Sequence, residues 1–244
     1  MKDLTYVIHT RIDCRDRLAN FKFCINFIQT NFNTNILVVE QDTEPKAPRF
    51  PNVEHVFLQS EDRLFNRTHL VNTGVRDFVK TPYVCLLDMD VFTDPWIYVQ
   101  AHYFLRDYSL IYPFDGRFID IPQYYNQIPN LMTKDIAPAD GKLLNLDSVG
   151  GLQFIRTQDF MDAGMTNEFI QGWGYEDDEF LVRFTNLGYG VKRLVNPLYH
   201  FSHIRTFNSD GRSPHIHENK AIFDRVKAMN REETLEYIKT FTWL

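Results

Sequence analysis

Asp88-Met89-Asp90 closes the apolar run Tyr83-Val84-Cys85-Leu86-Leu87. Residues two apart on an extended segment project to the same side, so both carboxylates are expected to face one point beyond the end of a buried strand. Two hard oxygen donors there suit Mg²⁺ or Mn²⁺ held against a diphosphate. Asp also ends strands and opens turns with no ligand at all, and a lone D-x-D does not decide between the two. Leu198-Tyr199-His200-Phe201-Ser202-His203 adds two imidazoles beside another strand-like segment. Imidazole favours Mn²⁺ over Mg²⁺, so a set of Asp88, Asp90, His200 and His203 points to Mn²⁺, with Mg²⁺ as the alternative. Which of the two histidines binds stays open. His215 and His217 lie in a polar, proline-containing loop and are expected to be solvated.

The most informative stretch is Gly172-Trp173-Gly174-Tyr175-Glu176-Asp177-Asp178-Glu179. Acids in the first turn of a helix favour its dipole whatever else they do. Two glycines around Trp173 go further, permitting sharp turns and close backbone approach that a simple cap does not need. An aromatic platform followed by clustered carboxylates is what a sugar hydroxyl requires. The ring stacks on the pyranose, one carboxylate accepts from its hydroxyls, and another removes the proton of the attacking one.

The elements that must position these groups alternate in the first half of the chain. Leu4-Thr5-Tyr6-Val7-Ile8-His9-Thr10 reads as a buried strand, followed by a helix through Leu18, Phe21, Ile25 and Ile28. Second and third strands follow at residues 36–41 and 53–59, a helix at about 65–79, and a fourth strand at 83–90. Such alternation, with near-continuous apolar strands, predicts an α/β fold with a parallel sheet covered on both faces. Ligands of such sheets bind beyond the carboxyl ends of the strands. Arg11 and Asp13, Glu40 and Asp42, and Asp88 and Asp90 stand there. Residues 113–147 show little periodicity and read as long loops over the site. A helix is expected from Glu176 to a C-cap at Gly188, and one amphipathic helix over about 218–241.

The 244 residues suit a single domain, with a first half over about 1–110, a second over about 111–210 and a helical tail from about 215. A net charge of −6 carries no basic footprint for nucleic acid or an anionic membrane. An acidic protein that handles a nucleotide sugar also needs a cation or local arginines to offset the diphosphate. Cys14, Cys24 and Cys85 are odd in number and lack zinc spacing, which argues against a disulfide framework. No apolar run approaches a membrane span and no leader is visible, so a cytoplasmic protein is expected, with at most peripheral contact to a membrane. Aromatics make up 15% of the chain, with 21 Phe, and a Phe-rich core is their simplest use.

The order Phe65-Asn66-Arg67-Thr68, then Leu86-Leu87-Asp88-Met89-Asp90, then Ser148-Val149-Gly150-Gly151, then Gly172-Trp173-Gly174-Tyr175-Glu176-Asp177-Asp178, then the histidine pair, resembles the β1,4-galactosyltransferase family. The resemblance extends over roughly residues 5–240 and is nearest in flavour to bacterial and chondroitin-polymerase-like members. It implies a GT-A fold with a Rossmann-like mixed sheet, a nucleotide-binding half over about 1–110 and an acceptor and metal half over about 111–210, and inverting, Mn²⁺-dependent transfer of Gal, GalNAc or GlcNAc from a UDP-sugar to an oligosaccharide or glycolipid acceptor. It further implies Asp90 as the principal metal carboxylate, Asp88 nearer the ribose, His203 as a metal ligand and His200 as a second one. Asp177 would be the catalytic base, Glu176 and Asp178 would grip the acceptor beside Tyr175, and Trp173 would touch donor phosphate and acceptor. Phe65, Arg67, Glu40, Gly150, Gly151 and the loop holding Arg11, Asp13 and Arg15 would bind the donor. The family's Pro-Phe-Arg run is Thr10-Arg11-Ile12 here, which leaves open the arginine that meets the phosphates. Ser148 stands where galactose-specific members carry a large aromatic, and a small residue leaves space for a C2 N-acetyl group.

A retaining transferase on the same fold would show the same D-x-D and histidines, and a non-catalytic sugar- or nucleotide-binding module is the third reading. A pyrophosphorylase would want a glycine-rich, basic loop after the first strand, and Thr10-Arg11-Ile12-Asp13-Cys14-Arg15-Asp16-Arg17 lacks the glycines.

Overall fold

Every residue of the first apolar run is buried, and it forms the interior strand β1 (Leu4–Thr10). In the computed structural model, which describes residues 1–205, 208 and 212–244, helix α1 (Arg15–Asn31) follows it. Strands β2 (Asn35–Asp42) and β3 (Glu54–Gln59) come next, then α2 (Arg67–Thr73), which runs on into a π-helical turn at Gly74–Phe78. Gly74 sits where an added Cβ would stand 2.8 Å from Val39 Cγ2, so this turn lies directly on the sheet. Strand β4 (Tyr83–Leu87) leads to the short β5 (Val91–Phe92) and to α3 (Pro95–Phe104), with Pro95 in its first turn.

The remaining elements are β6 (Leu110–Tyr112), β7 (Phe118–Ile121), β8 (Lys142–Asn145), β9 (Leu152–Arg156), α4 (Thr157–Asp162), α5 (Glu176–Asn186), β10 (Val191–Arg193), β11 (Leu198–Phe201), α6 (Ile216–Lys227) and α7 (Arg231–Ile238). A seven-stranded sheet runs β10-β6-β9-β4-β1-β2-β3 and a four-stranded one runs β5-β11-β7-β8. Strands β1 to β4 are parallel, as expected, but β9 is antiparallel to both β4 and β6, so the sheet is mixed. The insertion of β9 brings the Ser148–Gly151 segment to the carboxyl end of β4, where the Asp88 N–H donates to Gly151 O at 2.8 Å.

Two other expectations change. Residues 113–147 are not all loop, since β7 and β8 and three 3₁₀ turns lie there. The tail is two helices, because Asn230 and Glu233 form a capping box that restarts the chain at α7. Phenylalanines do fill the core. Phe23 of α1 meets Phe201 of β11 at 4.7 Å, and Phe201 stacks on Phe92 of β5 at 5.1 Å, so aromatic packing seats the small sheet on α1.

Candidate active site

Beyond the carboxyl ends of β1 and β4 lies a cleft of about 700 Å³. Its walls include Phe65, Arg67, Asp88, Asp90, Ser148, Gly150 and Gly151, the whole turn Gly172–Asp178, and both His200 and His203. Thus residues far apart in the chain share one concavity.

At one end Asp90, His200 and His203 bring one ligating atom each within 4.8 Å of the others. His203 Nε2 lies 3.1 Å and His200 Nε2 3.7 Å from Asp90 Oδ2. Burial would raise the Asp90 carboxyl, but the two imidazoles outweigh it and hold the group well below the ordinary carboxylate range. Burial likewise opposes charge on His200, yet Asp90 and Asp120 lift it to about 9. One carboxylate and two Nε2 atoms converging on one point form a mixed oxygen and nitrogen donor set that fits Mn²⁺ better than Mg²⁺. Asp88 stands outside this three-ligand group. Strand β4 ends at Leu87, and Met89 and Asp90 form a turn rather than the extended segment anticipated, so same-side projection does not apply. Asp88 Oδ1 instead lies 2.8 Å from His9 Nε2.

The Asp177 carboxylate holds the other end. Tyr175, at φ 69°, ends the glycine turn, and α5 then starts with Glu176, whose Oε2 accepts from the Gly174 N–H at 2.7 Å. Asp177 Oδ1 meets Arg67 Nη1 at 3.1 Å and accepts from Gln153 Nε2 at 3.0 Å. An added Cβ at Gly150 would stand 2.4 Å from Asp177 Oδ2, so only glycine leaves that oxygen its place. Burial pushes the Asp177 carboxyl up to about 7; Arg67 opposes this, and Glu176, Asp88 and Asp178 add to it. Arg67 also reaches toward Asp88 Oδ1 at 3.6 Å while its Nε donates to His9 Nε2 at 3.0 Å. One buried arginine therefore spans the gap between the two acidic groups. Glu179, next in the acidic run, turns inward and is paired with Arg183 at 2.8 Å, anchoring α5.

Four expected donor residues do not line the cleft. Arg11 uses its whole fork on the backbone carbonyls of Gln41, Arg63 and Asp62 and so ties down the loop before α2. Asp13 is exposed and pairs with Arg17 at 3.3 Å, and Arg15 is exposed. Glu40 is fully buried, taking Lys46 and Ala47 amides and His55 Nε2 at 2.7, 2.8 and 2.9 Å. Its carboxylate organises the turn after β2 instead. Of these arginines' neighbours, Arg17 is the one that lines the cleft. His215 and His217 do not line it. Residues 206, 207 and 209–211, shortly after His203, lie outside the described residues.

Sequence reasoning missed His9, Gln153 and Asp120. The first two carried a signal, a polar side chain inside an otherwise apolar strand. Asp120 carried none, because it lies in the segment taken as loop.

The sheet order and the cleft at its carboxyl edge place the chain in the class of GT-A glycosyltransferase folds. Residues 132–206 match the family model described as the N-terminal domain of galactosyltransferase. The chain is 28% identical over 183 residues to beta-1,4-galactosyltransferase 7 of Drosophila melanogaster, an alignment covering 73% of this chain and 47% of that protein. It thus spans about half the length of the curated relative it matches. The crystal structure of the catalytic domain of the Drosophila enzyme in complex with xylobiose superposes with a TM-score of 0.54 at 20% identity, covering 94% of this chain and 82% of that one. The structure of GalNAc-T7 with UDP, GalNAc and Mn²⁺ gives 0.61 at 13% identity, over 96% and 49%. In sequence the chain is thus similar, over part of its length, to a β1,4-galactosyltransferase.

Proposed function

We propose that this chain is an inverting, Mn²⁺-dependent glycosyltransferase that moves a hexose or N-acetylhexosamine from a UDP-sugar to a sugar hydroxyl. The observation that carries this is the sharing of one cleft by the Asp90–His200–His203 cluster and by Asp177. Asp90, His200 and His203 would hold the cation, which supplies Lewis-acid charge for the departing diphosphate. Asp177 takes the acceptor proton on Oδ2, the oxygen that neither Arg67 nor Gln153 engages. Arg67 keeps the carboxylate aimed by holding Oδ1. Trp173, 38% exposed at the rim, offers an apolar face to a pyranose, with Tyr175, Glu176 and Asp178 beside it for the acceptor. Phe65, Arg67, Asp88, Ser148, Gly150 and Gly151 form the donor wall. A base that activates the acceptor from the face opposite the leaving group gives inversion.

Ser148, half-buried in the wall, leaves room at C2 of the donor sugar, so UDP-GalNAc or UDP-GlcNAc is expected to be used alongside or ahead of UDP-Gal. Action in the cytoplasm on an oligosaccharide or glycolipid belongs to the same proposal; no described helix is long and apolar enough to cross a membrane. The test is UDP release from a panel of UDP-sugars, with Mn²⁺ and with EDTA, for the native chain and for Asp177→Asn. Mn²⁺-dependent release, lowered about 10²–10⁴-fold in the variant, is expected. Undiminished turnover in Asp177→Asn removes the base assignment, and a product that keeps the donor's anomeric configuration by NMR removes inversion.

A further inference from the structure

Both imidazoles of the cluster present Nε2 to Asp90, but different partners turn them that way. His203 Nδ1 lies 2.9 Å from the carbonyl oxygen of Ile204, a backbone contact. His200 Nδ1 lies 2.7 Å from Asp120 Oδ1. The two residues are register partners on the parallel strands β11 and β7, so sheet pairing itself sets them side by side. The second oxygen of Asp120 accepts from Ser202 Oγ, two residues along β11. An ionised carboxylate only accepts, so the proton between Asp120 and His200 resides on Nδ1. Nε2, the nitrogen directed at Asp90, is then the one left to give its lone pair to a cation that displaces its proton.

We propose that Asp120 is a positioning residue of the cation site: with Ser202 it holds His200 in the Nδ1–H tautomer, making Nε2 the ligating atom and keeping the site selective for cations that accept imidazole. This rests on reading Asp90, His200 and His203 as cation ligands. Outer carboxylates of this kind fix ring orientation and raise the basicity of a ligating imidazole, and their loss costs typically about 10–100-fold in metal affinity. Without Asp120 the His200 ring is free to rotate or to change tautomer. The remaining donors then discriminate less between Mn²⁺ and Mg²⁺.

The purified chain is titrated with Mn²⁺ alone and followed by EPR, without nucleotide or acceptor. Asp120→Ala is expected to weaken Mn²⁺ about 10–100-fold, to lower the ratio of Mn²⁺ to Mg²⁺ affinity, and to remove one of two ¹⁴N couplings in the pulsed spectrum. Asp120→Asn preserves shape and strand pairing but replaces the charged acceptor at Nδ1 with a neutral amide, which lowers the basicity of Nε2. It is therefore expected to weaken Mn²⁺ in the same direction even if the alanine variant folds poorly. A purely structural role for Asp120 would lower thermal stability while leaving the affinity and both couplings of the folded fraction intact, and that result overturns the proposal. Asp90→Asn and His203→Ala separate the two levels. If they abolish binding while both Asp120 variants bind like the native chain, only the positioning role fails. If they too bind Mn²⁺ unchanged, the cation reading fails and the proposal falls with it.

Discussion

Asp177 is a carboxylate whose surroundings work against its charge. Because burial lifts it to about 7, turnover that needs the ionised form is expected to fall as the pH drops through about 7. The same shift acts on stability with a definite sign. A carboxyl whose folded pKa lies above its ordinary value favours the folded state below that ordinary value, and this contribution is lost as the pH rises through about 7. Asp177→Asn should therefore unfold at a higher temperature than the native chain at about pH 8, with the advantage shrinking toward acid, as a thermal melt series would read. Gln153 acts on the same group from β9, giving one amide hydrogen to Asp177 Oδ1 at 3.0 Å and donating to Val149 O at 2.9 Å. Gln153→Leu removes a donor to the charged form and moves the acid limb of the pH–rate profile to higher pH. An unmoved limb with lowered turnover would assign Gln153 to packing alone.

Two glycines show how elements, rather than single residues, shape the cleft. Gly150 has no positive φ, and an added Cβ would press on the carboxylate of Asp177, 2.4 Å from Oδ2 and 3.2 Å from Cγ. Gly150→Ala is expected to fold normally and to lose about 10²-fold in turnover, since small displacements of a reacting group are costly. Gly174 has φ 111° and an added Cβ would stand 2.4 Å from Ile216 Cδ1 of α6. Gly174→Ala should therefore lower both Tm and turnover, and circular dichroism with a rate assay separates the two cases. Tyr175 bears a left-handed backbone of its own and stacks on Phe223 at 5.5 Å, so the turn is braced against α6 from two positions. Strained backbone costs about 1–3 kcal/mol per residue and persists where neighbours over-determine it. At this scale the sequence was legible wherever periodicity ran long, as in β1, α1, β4 and α5. It was less so at residues 218–241, where the break came from the short Asn230–Glu233 cap, and at 113–147, where strands of four residues carry too little pattern.

Across the molecule, the site stands where two sheets meet. Asp88 and Asp90 follow a strand of the large sheet, whereas His200 belongs to β11 of the small one and His203 lies just beyond it. A cation that binds this junction only in the folded state raises stability by mass action, about 2.7 kcal/mol at a hundred times its Kd. Mn²⁺ is accordingly expected to raise Tm in the native chain and to leave it unchanged in Asp90→Asn, which differential scanning calorimetry would measure. A rise of equal size in both would place Mn²⁺ elsewhere. The aromatic contacts of Phe23, Phe92 and Phe201 hold the small sheet, which carries His200, against α1, so a cavity there should loosen the site from a distance. Phe201→Ala is expected to cost about 3–5 kcal/mol of stability.

By itself the sequence determined the α/β class, the first four strands, the glycine-flanked acidic helix start and the residue types of the site. These are local properties, set by apolar periodicity and by the chemistry of short motifs. Only the tertiary structure decided which atoms meet. The pairing of His200 with Asp120 depends on β7 and β11 lying side by side across 80 residues of chain, and no local pattern encodes that neighbour. The same holds for the withdrawal of Arg11 and Glu40 from the cleft. Arg11 stands just after β1 and Glu40 near the end of β2, where a ligand-binding charge would stand, but nearby backbone groups had to be satisfied and took them first. A charged side chain in a folded protein goes to the strongest partner within reach, and reach is a three-dimensional quantity.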